Sequence, residues 1–378
     1  MKKIKKFLDS NPVVYVIGLF IIWRIVIQFI AWFADIRFDD ANYGYLTSVP
    51  GNRILSIWAK WDSVYYHDFI ANGYKDSPFF PGFIWISQIV KYFIGGYHLL
   101  SAAIVANVFA LGSCIMLYKI ARLEGNDNFA QRAVFYMLIF PSSFFLVAHY
   151  TESLFLFLIL TSFYFALNSK WVKSGIFGFM SCFTRTTGIL IFPALLAEIV
   201  LEKWGKFRKN IHWKNIIAIC LIPLGMLLFV AYNHFAFNEP IGFMKSQPAF
   251  GRTFTPNLLK PVYEQSIVNF RPSKFFSEDM TNAVNYFFSW LIFLIFVVLL
   301  FKYSRPSYAV LGFLFFIIPA SSGTLISMNR FLLVLFPIYL LVAKLIKPNS
   351  FADRIYTYTS LSVMILLCIL FTNGHWVG

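Results

Sequence analysis

Acid is scarce in this sequence: 17 Asp and Glu stand against 32 Lys and Arg, and only 13% of the 378 residues carry any charge. A water-soluble domain of this length needs far more polar surface to cover its core, so a soluble globular fold is excluded. Cysteine is also scarce. The four residues Cys114, Cys182, Cys220 and Cys368 all lie inside apolar runs, with no CxxC pair and no metal-ligand spacing. They read as small hydrophobes, and neither a disulfide framework nor a zinc site is implied. There is no low-complexity stretch and no clear internal repeat either, which weakens any reading as a repeat-built transporter.

What is present is hydrophobic length. Apolar residues make up 59% of the chain, with 46 Phe, 20 Tyr and 10 Trp, and the mean hydropathy is +0.67. Several runs approach the twenty residues that cross roughly 30 Å of hydrocarbon as a helix. Lipid leaves no solvent for unpaired backbone groups, so these runs form helices. A β-barrel would instead show short alternating segments. The chain is therefore expected to be an all-α polytopic membrane protein. Its first helix is expected at about 12–34, and later runs centre near Val108, Ile139, Leu158, Phe177, Leu195, Leu224, Phe293, Phe315, Leu335 and Ile365.

The formal charge of +15 is confined to short loops between these runs, as the positive-inside rule requires, so nucleic acid is not an expected partner. The basic start at Lys2, Lys3, Lys5 and Lys6 is not followed by a cleavage site, and reads as the cytoplasmic end of the first helix. Residues 35–77 are then outside. If 79–95 spanned, the basic loops at Lys119–Arg132, at Lys170 and Lys173, and at 203–214 would all fall outside, against the rule. If it lies along the outer interface, the first two fall inside; Pro81, Gly82, Lys91 and Gly95-Gly96 suit that placement. The third basic loop then requires 174–201 to leave and re-enter on one side, broken near Thr184-Arg185-Thr186-Thr187-Gly188. The sum is about 11 transmembrane helices, with an interfacial helix after the first extracytoplasmic loop. The expected organisation is a membrane module at 1–237 with its first outer loop at 35–78, a second extracytoplasmic loop at 238–281, and C-terminal transmembrane helices at 282–378.

This topology gathers Asp62, His67, His149, Glu152, Arg185, Gln247, Arg252 and Arg330 on one face. Ionisable groups at membrane depth are costly and tend to be functional. A carboxylate facing several Arg side chains is the arrangement of a base beside an anion site. Each residue also has a plain reading: Asp62 as a helix cap, Glu152 as a dipole-matched first-turn acid, His67 as a solvated loop residue, Arg24 as a partner to a neighbouring helix, and 203–214 as a loop near anionic lipid.

The segment Lys60-Trp61-Asp62-Ser63-Val64-Tyr65-Tyr66-His67-Asp68-Phe69-Ile70-Ala71-Asn72-Gly73-Tyr74 resembles the signature W-D-x-x-[HWY]-[FY]-x-x-I-A-x-x-G-Y of PIG-V-like mannosyltransferases, in the GT-C superfamily. Further pieces keep the family's order: Ser77-Pro78-Phe79-Phe80-Pro81-Gly82, Pro141-Ser142-Ser143-Phe144-Phe145, Tyr150-Thr151-Glu152-Ser153, Thr184 to Gly188, and Arg330 leading into Phe336-Pro337. The resemblance covers roughly 10–345, with Gly82 where the family often has Leu, and is weak over the second outer loop.

It implies a GT-C-like fold and a transferase moving a hexose, mannose by resemblance, from a polyprenyl-phosphate donor. The acceptor hydroxyl would belong to a glycan, lipid or protein. Asp62 matches the family's catalytic base. Arg185 and Arg330 would hold the donor phosphate, and Trp61, Tyr65, Tyr66, Glu152, Gln247 and Arg252 would contact substrate. One base with direct displacement implies inversion. No cofactor is expected. Asp39, Asp40 and Asp62 could hold a divalent ion with a substrate phosphate, although no tight cluster demands one. A bacterial plasma membrane suits the chain. A transporter or lipid flippase, or a lipid-linked oligosaccharide ligase, is the competing reading.

Overall fold

The computed structural model describes residues 11–38, 49–271 and 277–378. The lysines at positions 2 to 6 and the Asp39-Asp40 pair lie outside the described residues. The chain forms two compact units. The first comprises residues 1–74, 81–169 and 338–376, and the second comprises 75–80, 170–337 and 377–378.

In chain order the first unit opens with α1 (Pro12–Arg37), α2 (Asp62–Asn72), α3 (Pro81–Phe93), α4 (His98–Glu124), α5 (Asp127–Leu138) and α6 (Glu152–Leu167). The second unit holds α7 (Trp171–Cys182), α8 (Ile191–Val200), α9 (Trp213–Ile219), α10 (Leu221–Phe237), α11 (Lys260–Gln265), α12 (Glu278–Tyr303), α13 (Pro306–Ala320) and α14 (Met328–Leu333). The chain then returns to the first unit with α15 (Pro337–Leu345) and α16 (Phe351–Thr372).

Helix α1 shows why the first unit packs as it does. Proline at its first position suits a helix start, where the missing N–H costs nothing. Val16, Phe20, Trp23, Ile27, Ala31 and Ala34 recur at helical spacing and are buried. The opposite face carries Ile21, Ile22, Ile25 and Phe29, all exposed. A helix apolar on both faces belongs in lipid. It packs against α4 and α16, while α6, apolar all round, packs against α4 and buries most of its length.

Among the described residues five helical stretches are long and apolar enough to cross a bilayer: Pro12–Arg37, His98–Glu124, Trp213–Phe237, Asp279–Tyr303 and Phe351–Thr372. Glu152–Leu167, Thr186–Val200 and Pro306–Ala320 are shorter apolar helices. Two apolar runs read from the sequence are not single helices. The run around Ile139 ends as helix at Leu138 and continues through a 3₁₀ turn at Ser143–Leu146. The run around Leu335 divides into α14 and α15. Pro141 and Pro337 explain both, because the residue before proline is pushed out of the helical region. Helix α3 has 13 residues and so a length of about 20 Å, short of the hydrocarbon thickness.

The break inside 174–201 is present. Helix α7 ends at Cys182, Arg185 is extended at φ −155°, and a 3₁₀ turn at Thr186–Leu190 leads into α8. Gly188 permits the close return: a Cβ there would sit 2.6 Å from the backbone of Ser181. The basic segment after α8 departs from a plain loop. Leu201–Lys203 and Lys206–Phe207 pair as a two-stranded antiparallel ribbon, turning at Gly205 with φ +73°. Polar clamps close each unit. Arg132 donates to the carbonyls of Ala343 and Ile346, capping the last turn of α15. In the second unit Arg305 and Ser307 both donate to Glu198.

Candidate active-site residues

Asp62 is the first residue of α2, where a carboxylate suits the partial positive charge of the helix N-terminus. The chain enters that helix through Trp61, which holds φ +56° and ψ −118°. A non-glycine residue there stores strain of about 1–3 kcal/mol and needs firm surroundings. The surroundings come from residues 149–150. The His149 N–H donates to the Trp58 carbonyl at 3.1 Å. Ser63 Oγ donates to the His149 carbonyl at 3.2 Å, and Tyr150 Oη donates to the Lys60 carbonyl at 2.9 Å. Trp58, Lys60, His149 and Tyr150 are all buried. Asp62 is thus gripped on both sides along its own backbone, and the Trp61 ring stands edge-on to Trp376 at 5.3 Å.

Behind this grip lies a histidine pair. His67 Nε2 and His149 Nδ1 are 2.9 Å apart, and His98 stacks edge-on to His67 with centroids 5.3 Å apart. One ring must donate and the other accept, so two imidazolium ions cannot share the contact. Burial pushes His149 down to about 3, helped by the Arg24 charge, and pushes His67 well below its ordinary range. His67 was expected to be solvated; it is 3% exposed, because it faces the interior side of α2 with Tyr66 and Ile70.

The other first-unit residues fall into place around this corner. Tyr66 is buried edge-on against Phe83 and Tyr150, so its ring belongs to the core. Tyr65 is half-buried. Glu152 opens α6, fully buried, in the first helical turn. Arg24 donates to Asn107 on α4 at 2.8 Å, a partner on a neighbouring helix as expected.

The second unit gathers the cations. The Arg185 guanidinium lies over the Phe331 ring at 5.2 Å and that of Arg252 at 6.0 Å. Arg330, next to Phe331 in α14, is buried. One aromatic ring contacted by two guanidinium groups, with Arg330 next to it in sequence, concentrates positive charge of the kind that an anion site uses. Helix α14 is entered through Ser327 at φ +70°, a second strained non-glycine residue. Gln265 secures the preceding turn, accepting from Leu325 N–H at 2.9 Å and Thr324 Oγ1 at 3.2 Å. It also donates to the Gly323 carbonyl at 3.2 Å. Gly323 has φ +75° and lies where a Cβ would meet the Thr253 carbonyl at 2.5 Å. That approach lets 253–255 pair with 321–322 and carries Arg252 in. Gln247 turns back to donate to the Phe243 carbonyl at 2.9 Å, on its own chain segment.

Asp62, Glu152 and the tyrosines thus belong to one unit, and Arg185, Arg252, Arg330 and Gln247 to the other. Phe331 was not anticipated, its one signal being adjacency to Arg330, and Tyr150 was singled out only as part of the Tyr150-Thr151-Glu152-Ser153 motif, without a role. Among the described residues no group of three or more His, Cys, Asp or Glu is placed to hold a metal ion.

These features define a helical, multi-pass membrane protein, and its fold is shared with a solved membrane protein. ArnT from Cupriavidus metallidurans bound to undecaprenyl phosphate superposes with a TM-score of 0.51 at 11% identity, over 96% of this chain and 76% of that one. In sequence the chain is similar to GPI mannosyltransferase 2 of Yarrowia lipolytica, 27% identical over 168 residues, 43% of this chain and 46% of that protein. It is likewise similar to GPI mannosyltransferase 2 of Candida albicans, 26% identical over 208 residues, 46% of this chain and 52% of that protein. The chain spans about half the length of the curated relatives it matches. No family model matches it. The resemblance to mannosyltransferases read from the sequence agrees with the names of both relatives.

Proposed function

We propose that this protein is an integral membrane glycosyltransferase that moves a hexose, mannose by its relatives' names, from a polyprenyl-phosphate donor to an acceptor hydroxyl. Asp62 takes the acceptor proton as the hydroxyl attacks the sugar carbon. Arg185 and Arg330, with Arg252, receive the charge that develops on the leaving lipid phosphate. A single base and direct displacement give inversion. The reaction belongs to the extracytoplasmic face of a plasma membrane, by the distribution of basic loops. On that topology α3 lies in the outer interface, consistent with its length and with the exposed Ile89, Tyr92 and Phe93 on one side. About eleven membrane crossings then require the shorter helices to count as spans.

The observation that carries this reading is the fixation of Asp62. A carboxylate at a helix start, entered through a strained tryptophan and held by three backbone-directed hydrogen bonds, is more support than a helix cap needs. The test is transfer of labelled mannose from a synthetic polyprenyl-phosphate donor by purified protein, with the anomeric configuration read by NMR. Wild-type transfer by Asp62→Asn removes the base assignment, and a retained anomer removes direct displacement.

A further inference from the structure

Arg24 stands near the middle of the 26-residue helix α1, a span whose remaining composition is almost wholly apolar. Its Nε donates to Asn107 Oδ1 at 2.8 Å, and its guanidinium lies 5.3 Å from the Trp58 ring centre. No carboxylate pairs with it among the described residues. A cation at this depth is expensive unless an anion or water reaches it. The side chain borders a cavity of about 760 Å³ contained in the first unit. Its floor is polar, from Arg24, Gln28 and Asn107, and its walls are apolar, from Ile25, Phe29, Trp32, Ile54, Leu100 and Ile104. Gln28 is occupied by accepting from Trp58 Nε1 at 2.9 Å, and Asn107 by Arg24. Their amide groups also donate, Gln28 to the Ile54 carbonyl at 3.5 Å and Asn107 to the Ala103 carbonyl at 2.8 Å, so the guanidinium, with five N–H donors and a positive charge, is the floor group best suited to an anion.

We infer that this cavity is a lateral binding site for one anionic lipid, whose hydrocarbon chain lies along α1 and α4 and whose phosphate is held by Arg24. The volume falls in the range of ligand sites, and the wall-to-floor polarity matches a chain with one charged end. Ile25, Phe29, Trp32 and Ile54 are exposed, so a chain can enter from the bilayer side without opening the protein. Trp58 ties the site to the Asp62 corner, since its carbonyl accepts from His149 while its indole donates to Gln28. The site lies beyond the proposed transfer reaction, and its occupancy does not depend on turnover.

Full-length protein is reconstituted in bilayers of phosphatidylcholine with one quarter phosphatidylglycerol, extracted gently, and weighed by native mass spectrometry with its retained lipid. Wild type is expected to keep one phosphatidylglycerol, with a ratio of phosphatidylglycerol to phosphatidylcholine about five- to ten-fold above that of the bilayer, as one half-buried cation near a lipid phosphate provides. Arg24→Gln is expected to bring the enrichment to about one, and Arg24→Lys to keep part of it. Ile25→Trp, on an exposed position of the cavity wall, is expected to lower retention of both lipids while melting like wild type. Equal retention of both lipids by wild type, or undiminished enrichment in Arg24→Gln, overturns the site. Should Arg24→Gln not fold, the wild-type ratio and Ile25→Trp decide alone.

Discussion

The Asp62 corner and the Arg330 corner are built alike and held differently. Each begins with a non-glycine residue at positive φ, Trp61 in one and Ser327 in the other, and each presents its charged residue within the first turn or so of a short helix. Around Asp62 the support is hydrogen bonding to backbone carbonyls by His149, Tyr150 and Ser63, with a buried histidine pair behind. Around Arg330 it is a glutamine clamp and an aromatic ring shared by two guanidinium groups. The first device ties the backbone on both sides of Asp62 to residues 149–150. The second concentrates charge while allowing long side chains to adjust. A proton acceptor needs the former, because transfer demands hydrogen-bond geometry, and a phosphate holder is served by the latter.

The largest expected effect is at Asp62. Asp62→Asn should lower kcat by about 10²–10⁴ with an unchanged melting temperature, measured by mannose transfer and by calorimetry. A fall in stability matching the fall in rate would make the residue a cap instead. Arg330→Ala should cost about 10²–10³ in kcat/KM, and Arg330→Lys should recover only part, since a point charge replaces a planar fork. Equal activity of Lys and Arg would reduce this corner to bulk charge.

A third expectation separates the corners by pH. His149 is held at about 3, far below its ordinary 6.5, and His67 is held low in the same direction. The unfolded chain therefore binds more protons below pH 6.5. Stability is complete above that value and is lost as pH falls towards the folded value, by about 2 kcal/mol for His149 at pH 5. Melting curves from pH 7.5 to 4.5 should show this slope, and His149→Gln should flatten it. Phe331→Leu should cost about 1 kcal/mol of donor binding, seen as a several-fold rise in KM with kcat kept. Smallest, Tyr150→Phe should destabilise by about 1 kcal/mol through the Lys60 carbonyl it leaves unserved.

The sequence made the Asp62 corner legible because its parts are contiguous: Trp61-Asp62 and Tyr150 to Ser153 each occupy one short stretch. The break around Arg185 could be read too, since a charge followed by glycine inside an apolar run interrupts a membrane helix more readily than it continues one. Burial of Lys60 and His67 could not be read, because a polar first outer loop looks solvated until its partners at 149–150 are known. Phe331 was hidden for the opposite reason: one phenylalanine among 46 carries no signal. Gln247 was placed by the topology of the second outer loop, and its bond to the Phe243 carbonyl could not be read from that placement.

The order in which the chain is made adds a consequence. The first unit receives α15 and α16 only after residues 170–337, nearly all of the second, have been synthesised, and α16 packs directly on α1. At about 5–20 residues per second, the face of α1 that meets α16 waits tens of seconds for its partner. Over that interval lipid, or an insertion chaperone, has to cover it. Nonsense mutations between positions 345 and 351 should therefore act as assembly defects, with the truncated chain cleared from the membrane although every residue proposed for chemistry has been made.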